Sequence, residues 1–74
     1  MRLEVFDLEL VLQIAKTGSL TQAAQQAAIS LQAASERLKK IEQQFEVKLF
    51  SRHSTGMQLT FAGESFLEYA QEID

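Results

Sequence analysis

The sequence predicts a mainly α-helical domain, in which a three-helix core carries a short β-hairpin wing and is followed by a further helix. Apolar residues recur at helical spacing from the start of the chain to Phe45. Proline is absent and glycine occurs only three times, which favours a mostly helical chain. Two short strand-like runs flank a turn between residues 47 and 59. The 74 residues contain no repeat or low-complexity linker, so we expect one small domain.

The first predicted helix covers about Val5 to Lys16. Phe6, Leu10 and Ile14 recur along it at helical spacing, with Val11 on the adjoining side. Thr17-Gly18 is expected to end the helix, because glycine readily adopts the left-handed conformation of a C-terminal cap.

The second predicted helix covers about Leu20 to Ala27. Ser19 is a good N-cap, and Gln22 stands three residues later, so we expect a capping box worth about 1 kcal/mol. Small inward-facing residues would let this helix approach its neighbours closely. The inward set is Leu20, Ala23, Ala24 and Ala27.

The third predicted helix is capped by Ser30 and runs to about Phe45. Its buried stripe, at intervals of 4, 3 and 4, is Ala34, Leu38, Ile41 and Phe45. The residues left on the exposed side are Gln32, Ser35, Glu36 and Lys39. Two helices joined by a tight turn, the second with polar residues at its exposed start, are typical of a helix-turn-helix, whose second helix can lie in the DNA major groove.

The wing and the last helix are predicted from the remaining residues. Val47 to Phe50 is the candidate first strand, Ser51 to Gly56 the turn, and Met57 to Leu59 the return strand. Thr60 is the expected N-cap of a helix from about Phe61 to the end. Its apolar stripe is too long for a small core to cover, so part of it should seek a partner. The stripe is Ala62, Phe66, Tyr69 or Ala70, and Ile73.

The amino-acid composition argues against several classes of function. Without cysteine there is neither a disulfide nor a thiolate metal site, and the single histidine, His53, has no second histidine to share a metal. No apolar run approaches the roughly 20 residues that span a bilayer, and the amino terminus lacks the features of a signal peptide. We expect a cytoplasmic protein without a membrane partner. We expect no enzyme and no cofactor, because no recognisable acid orients His53 toward Ser51.

The charge distribution is compatible with nucleic-acid binding, although the net charge is −3. Residues 28–53 carry five basic and three acidic side chains, a local charge of +2. The rest of the chain carries two basic and seven acidic side chains, a charge of −5. The basic share therefore lies where the third helix and the wing are predicted. We expect modest non-specific affinity for DNA.

Several short motifs follow one another in an order and spacing that are more specific together than singly. They are Gly18-Ser19-Leu20-Thr21-Gln22-Ala23-Ala24, Ile29-Ser30, Ala33-Ala34-Ser35, Leu38-Lys39-Lys40-Ile41-Glu42, Val47-Lys48-Leu49-Phe50-Ser51-Arg52 and Leu59-Thr60-Phe61-Ala62-Gly63-Glu64. On these motifs, residues from about Phe6 to Ile73 resemble the amino-terminal winged helix-turn-helix domain of LysR-type transcriptional regulators. The similar module of molybdate-responsive regulators is the nearest alternative.

The resemblance implies a DNA-binding domain over residues 1–60 and the start of a linker helix over residues 61–74. Two chains would pair through the linker helix and read a two-fold operator as a homodimer, with a tetramer possible for a full-length protein. A small-molecule effector would bind a carboxy-terminal domain that this chain lacks, so we expect a fragment. The residues that the resemblance places in the dimer seam are Ala62, Phe66, Tyr69, Ala70 and Ile73.

Three positions depart from the family pattern. Leu31 stands where glutamine usually follows the capping serine, with Gln32 one place later. Glu36 stands where a basic or polar residue is common. Glu46 stands where glycine usually ends the third helix, and a left-handed glutamate there would cost about 1 kcal/mol.

The candidate recognition residues divide by chemistry. Gln32 and Ser35, in the first turns of the third helix, are suited to base edges, although a solvated polar face is the alternative. Leu31 can touch a thymine methyl or pack beneath the turn, and Glu36 can accept from cytosine N4 or repel phosphate. The candidates for phosphate contact, some with a capping role as well, are Arg37, Lys39, Lys40, Arg52, His53, Ser19, Thr21, Ser30 and Thr60. Lys39 can also reach guanine, and Arg52 can contact either phosphate or the minor groove. For the three basic residues of the third helix, a solvated helix surface is the alternative.

A protein-interaction module is the alternative function. A winged helix can use its acidic faces and last helix to bind protein, and the net acidity of this chain fits that use. Binding to selected and random duplexes distinguishes the two functions, because a DNA reader shows a steep salt dependence and a preferred two-fold site.

Overall fold

Four helices and one β-hairpin form the fold, in the order predicted from the sequence. The computed structural model describes residues 4–72, with side chains described for residues 4–69. The elements are α1 (Val5–Thr17), α2 (Leu20–Ala27), α3 (Leu31–Phe45), β1 (Phe50–His53), β2 (Gly56–Leu59) and α4 (Phe61–Glu72). The predicted fold class, a mainly α winged helix-turn-helix, is confirmed.

The core lies where α1, α2 and α3 meet. Each helix supplies one apolar stripe, and the stripes interlock because alanines at Ala23, Ala24 and Ala34 let the backbones approach. Leu49 and Phe50 close the core from the hairpin side. Leu67 of α4 is also buried in the core, although the apolar stripe predicted for that helix did not include it. The buried apolar residues are Leu10, Val11, Ile14, Leu20, Ala23, Ala24, Ala34, Leu38, Ile41, Leu49, Phe50 and Leu67.

The junction of α1 and α2 follows the predicted capping, with one correction. Gly18 has φ 68° and donates its N–H to the carbonyl of Ile14. Ser19 Oγ accepts the backbone N–H of Gln22 at 3.1 Å. A capping box would also have the Gln22 side chain accept the backbone N–H of Ser19. That N–H donates instead to Thr17 Oγ1 at 3.1 Å. Thr17 Oγ1 therefore has the acceptor role that was predicted for the Gln22 side chain.

The turn between α2 and α3 depends on a residue that the sequence reading did not single out. Ala28 adopts the left-handed conformation with φ 59°, and the next N–H, that of Ile29, donates to Ala24 O at 3.0 Å. Ser30 then caps α3 by accepting the N–H of Ala33 at 3.0 Å. At the other end of α3, Glu46 has φ 55°, so the left-handed conformation considered for this glutamate is present.

The first strand was predicted three residues too early. Leu49 cannot join the ladder, because its N–H donates to Glu42 Oε2 at 2.8 Å and its carbonyl accepts from Thr60 N–H at 3.0 Å. Both backbone groups are therefore held by helix α3 and the start of α4. Residues 51–53, predicted as turn, pair instead with β2 in the antiparallel register Phe50↔Leu59, Ser51↔Gln58, Arg52↔Met57 and His53↔Gly56.

Helix α4 begins at the predicted cap and packs on the hairpin. Thr60 Oγ1 accepts the N–H of Gly63 at 2.9 Å and donates to the carbonyl of Lys48. Phe66 meets Phe45 of α3 edge to face, with ring centroids 5.1 Å apart. Phe45 is 36% exposed, so it ends the α3 stripe at the surface rather than in the core. Of the predicted seam, the side chain of Ala70 and all of Ile73 lie outside the described residues.

Candidate nucleic-acid interface

The outward side of α3 is the centre of the candidate interface. Ala34, Leu38 and Ile41 are buried against α1 and α2, which leaves the opposite side of the helix uncovered. Three of the four predicted outward residues are exposed: Gln32, Glu36 and Lys39. The fourth, Ser35, is half-buried. The helix therefore presents a row of donors and an acceptor on a rigid rod.

The start of α3 protrudes from the turn. Leu31 is 49% exposed, and Ala33 beside it is exposed and small. The Ser30 cap fixes the first turn of the helix through the N–H of Ala33. Of the two alternatives for Leu31, packing beneath the turn does not fit this exposure. An apolar side chain is instead held exposed at the amino-terminal end of α3.

The wing supplies a second exposed group. Arg52 and His53 are exposed at the end of β1, and Ser51 Oγ lies 3.0 Å from His53 Nε2. Ser54 and Thr55 form the exposed tip of the turn and were not singled out from the sequence. The sequence signal that could have identified Ser54 and Thr55 is their position, as two adjacent hydroxyl residues directly after Arg52 and His53.

The wing is fixed next to the start of α2. Met57 N–H donates to Gly18 O at 2.9 Å, which ties β2 to the α1–α2 junction. Gly56 has φ 136°, and a Cβ there would lie 2.5 Å from the same carbonyl oxygen. Only glycine permits this approach. As a result, the wing and the amino-terminal end of α2, with exposed Thr21 and half-buried Ser19, belong to one side of the molecule.

Two predicted phosphate-contacting residues are already engaged within the protein. Arg37 donates its Nε–H to Asp7 of α1 and lies over the ring of Phe6, with Cζ 4.9 Å from the ring centroid. It therefore joins α3 to α1. The hydroxyl of Thr60 is used by Gly63 and Lys48, as described above. Both side chains therefore have structural roles, and the phosphate contacts expected of them stay predictions that the proposal below does not use.

The exposed charges around α3 and the wing are mixed. Lys39 and Lys40 of α3 and Arg52 of the wing are exposed. The side chain of Lys48 is 82% exposed, with Nζ 4.0 Å from Glu42 Oε1, whereas that of Glu42 is only 12% exposed. Glu42 thus serves the fold, and Glu36 is the acidic group on the outward side of α3. Lys39 and Lys40 follow it by three and four residues on the same helix, so acidic and basic groups are mixed there rather than forming a uniform basic patch.

The part of the chain that the structure describes shows no group of three or more histidine, cysteine, aspartate or glutamate side chains that could hold a metal ion. None of the helices within residues 4–72 is long and apolar enough to cross a membrane. A cavity of about 830 Å³ lies along α1 and the end of α2, and it is lined in part by Phe6, Leu10 and Gln13. It contains none of the exposed residues of α3 or the wing.

The chain matches a family of known proteins over most of its length. Residues 5–64 match the model described as bacterial regulatory helix-turn-helix protein, lysR family. The HTH-type transcriptional regulator YofA of Bacillus subtilis is 35% identical over 71 residues, which are 96% of this chain and 25% of YofA. The chain thus spans about a quarter of the length of that relative.

Solved structures show the same fold. DarR of Vibrio fischeri, crystallised in complex with DNA, is similar with a TM-score of 0.90 at 30% identity, over 99% of this chain and 25% of that chain. The DNA-binding domain of CbnR, also in complex with DNA, gives a TM-score of 0.86 at 30% identity, over 96% of this chain and 82% of that chain.

Proposed function

The chain belongs to the LysR family of bacterial regulatory helix-turn-helix proteins, and we propose that it is a sequence-specific DNA-binding domain that reads double-stranded DNA with α3. The observation that carries the proposal is the uncovered side of α3, where Gln32, Glu36 and Lys39 are exposed, together with an exposed wing that is held at the α1–α2 junction through Gly18 and Gly56. Two similar structures contain DNA, which supports the same ligand here.

In this proposal α3 enters the major groove with its amino-terminal turns toward the bases. Gln32 and Ser35 face base edges, and Leu31 at the first turn meets a thymine methyl. Lys39 and Lys40 contact phosphates, which position the helix without carrying base information. Arg52 and His53 bring the wing to the flanking backbone.

We further propose that two copies bind a two-fold operator. Two recognition helices related by a two-fold axis reach successive major grooves about 34 Å apart. Pairing through α4 would use Ala62, Phe66 and Tyr69, of which Tyr69 is 64% exposed. Full-length relatives are about four times as long as this chain, and we propose that any tetramer contacts and a small-molecule effector site belong to regions beyond this domain.

The domain itself needs no cofactor in this proposal, because α2, α3 and the wing are held in place by capping and core contacts of the chain. The proposed ligand is chromosomal DNA, so we place the protein in the cytoplasm. Catalysis has no part in the proposal, and the relatives that match are transcriptional regulators.

Binding selection from randomised duplexes, followed by fluorescence anisotropy at several salt concentrations, tests the proposal. The wild-type chain should recover a two-fold site and lose affinity steeply with salt. Gln32→Ala or Ser35→Ala should relax the sequence preference, at a cost of about 1–3 kcal/mol on the selected site. Lys40→Ala should weaken selected and random duplexes alike.

Equal losses on selected and random DNA from all three substitutions would contradict this division of roles. Failure of the wild-type chain to bind any duplex at low salt would overturn the proposed function and favour a protein-interaction module. Lys16→Ala is the matched control for Lys40→Ala, because Lys16 is an exposed lysine on α1.

A further inference from the structure

Glu36 lies at the centre of the surface that the proposed function assigns to DNA. It is exposed, one helical turn after Gln32, on the side of α3 opposite Ala34 and Leu38. A carboxylate on this surface approaches a polyanion, so it opposes binding unless a donor meets it.

No basic side chain of the described residues forms an ion pair with the Glu36 carboxylate. Within residues 4–69, the ion pairs at 4.0 Å or less join Arg37 to Asp7 and Lys48 to Glu42. Lys40 follows Glu36 by one turn, at a spacing that favours a glutamate–lysine pair, yet the two side chains do not form one. Glu36 therefore offers its oxygens outward, free to accept hydrogen bonds.

The major-groove edges of the four bases differ in what they offer such an acceptor. Guanine presents two acceptors, N7 and O6, and thymine presents an acceptor and a methyl group. Adenine presents the N6 amino donor beside the acceptor N7, and the lone pair of N7 repels a carboxylate. Cytosine alone presents the N4 amino donor without an adjacent acceptor of its own.

We infer that Glu36 is a specificity-determining residue that selects cytosine in each half-site by accepting from N4 and rejects guanine there by repulsion. This inference rests on the proposed function and deepens it. Gln32, one turn earlier, is suited to adenine N6 and N7. The four residues from Gln32 to Glu36 advance about 6 Å along the helix and one base pair advances about 3.4 Å, so the two preferred bases should fall within about two base pairs.

The experiment combines binding selection from randomised duplexes with three variants of the full 74-residue chain. The wild-type chain should prefer cytosine at one position per half-site by at least about fivefold over guanine. Glu36→Ala should abolish that preference and raise affinity for random DNA. Glu36→Gln should move the preference toward adenine, because an amide both donates and accepts. Glu9→Ala removes the same charge from an exposed position on α1 and should leave the cytosine preference intact.

A chemical change in the DNA provides the second measurement. Replacing the selected cytosine by N4-methylcytosine keeps the base pair but removes the amino hydrogen that faces the groove. Wild-type binding should fall at least about fivefold, whereas Glu36→Ala should bind both duplexes equally.

The outcomes separate the inference from the proposed function. Retention of the cytosine preference by Glu36→Ala, or no response of the wild-type chain to N4-methylation, would overturn the role of Glu36 while leaving sequence-specific binding in place. Absence of binding to every duplex would overturn both.

Discussion

Arg37 of α3 donates its Nε–H to Asp7 of α1 across 2.5 Å, although the two residues are 30 positions apart in sequence. The Asp7 side chain is only 10% exposed, whereas that of Arg37 is 43% exposed. The pair therefore has a buried acid and a half-exposed base. It holds α3 against α1.

This asymmetry predicts how stability responds when the pair is broken. Arg37→Met leaves a buried carboxylate without its partner, so it should lower the free energy of unfolding by about 1–3 kcal/mol. Asp7→Leu added to Arg37→Met removes the orphaned acid, and the double variant should regain most of the loss. Urea unfolding followed by circular dichroism measures both changes. A double variant less stable than Arg37→Met alone would contradict the prediction, and Lys40→Met controls for replacing an exposed cation on the same helix.

Local signals explain why much of the fold could be predicted from the sequence. Ser19, Ser30 and Thr60 each cap the helix that follows them, and Gly18 has the left-handed conformation expected of it. Each of these interactions spans only three or four residues. Sequence proximity was enough to identify them.

The errors came from contacts between residues distant in sequence. The first strand was misplaced because Glu42 and Thr60 take both backbone groups of Leu49, which no strand propensity reveals. The ion pair of Arg37 with Asp7 also joins distant residues and could not be read from the sequence, whereas the phosphate contact expected of Arg37 stays a prediction. Residue types correctly indicated which side of α3 is exposed. They could not indicate which basic side chains form ion pairs within the protein, because those pairs depend on tertiary contacts.

Gly63 provides a second prediction, because a Cβ at this position would lie 2.2 Å from Leu49 O and 2.8 Å from Leu59 Cδ2. The first contact is with backbone, so Gly63→Ala must displace α4 from the hairpin. We expect a loss of more than about 2 kcal/mol in the free energy of unfolding, measured in urea. Ser65→Ala, at an exposed position of the same helix, should change stability by less than about 0.5 kcal/mol. Equal stability of the two variants would show that α4 is not packed as described.

Glu46 provides a third prediction, because it ends α3 with φ 55°, a conformation in which glycine has no steric penalty. Glu46→Gly should therefore raise the free energy of unfolding by about 0.5–1 kcal/mol. The same substitution inside the last turn, Gln43→Gly, should instead lower it by about 1 kcal/mol, because glycine disfavours a helix interior. Opposite signs in thermal unfolding would confirm the cap. Destabilisation by both substitutions would contradict it.

Tyr69 provides the last prediction, which concerns dimerisation through α4. Phe66 is a poor position for this test, because its contact with Phe45 of the same chain means that a charge there would also disturb the fold. Tyr69 is 64% exposed and belongs to the same predicted seam, so a charge there leaves the core intact. If two copies pair through this seam, Tyr69→Asp places two carboxylates in an apolar contact and should yield monomers by sedimentation velocity.

Ser65→Asp is the matched control for the dimerisation test. It introduces the same charge one turn earlier, at an exposed position outside the predicted seam, and should sediment as the wild-type chain does. Tyr69→Asp should also bind a two-fold duplex less tightly than the control, because only a paired domain engages both half-sites at once. A Tyr69→Asp variant that remains dimeric while retaining its circular dichroism spectrum would show that the chains pair elsewhere.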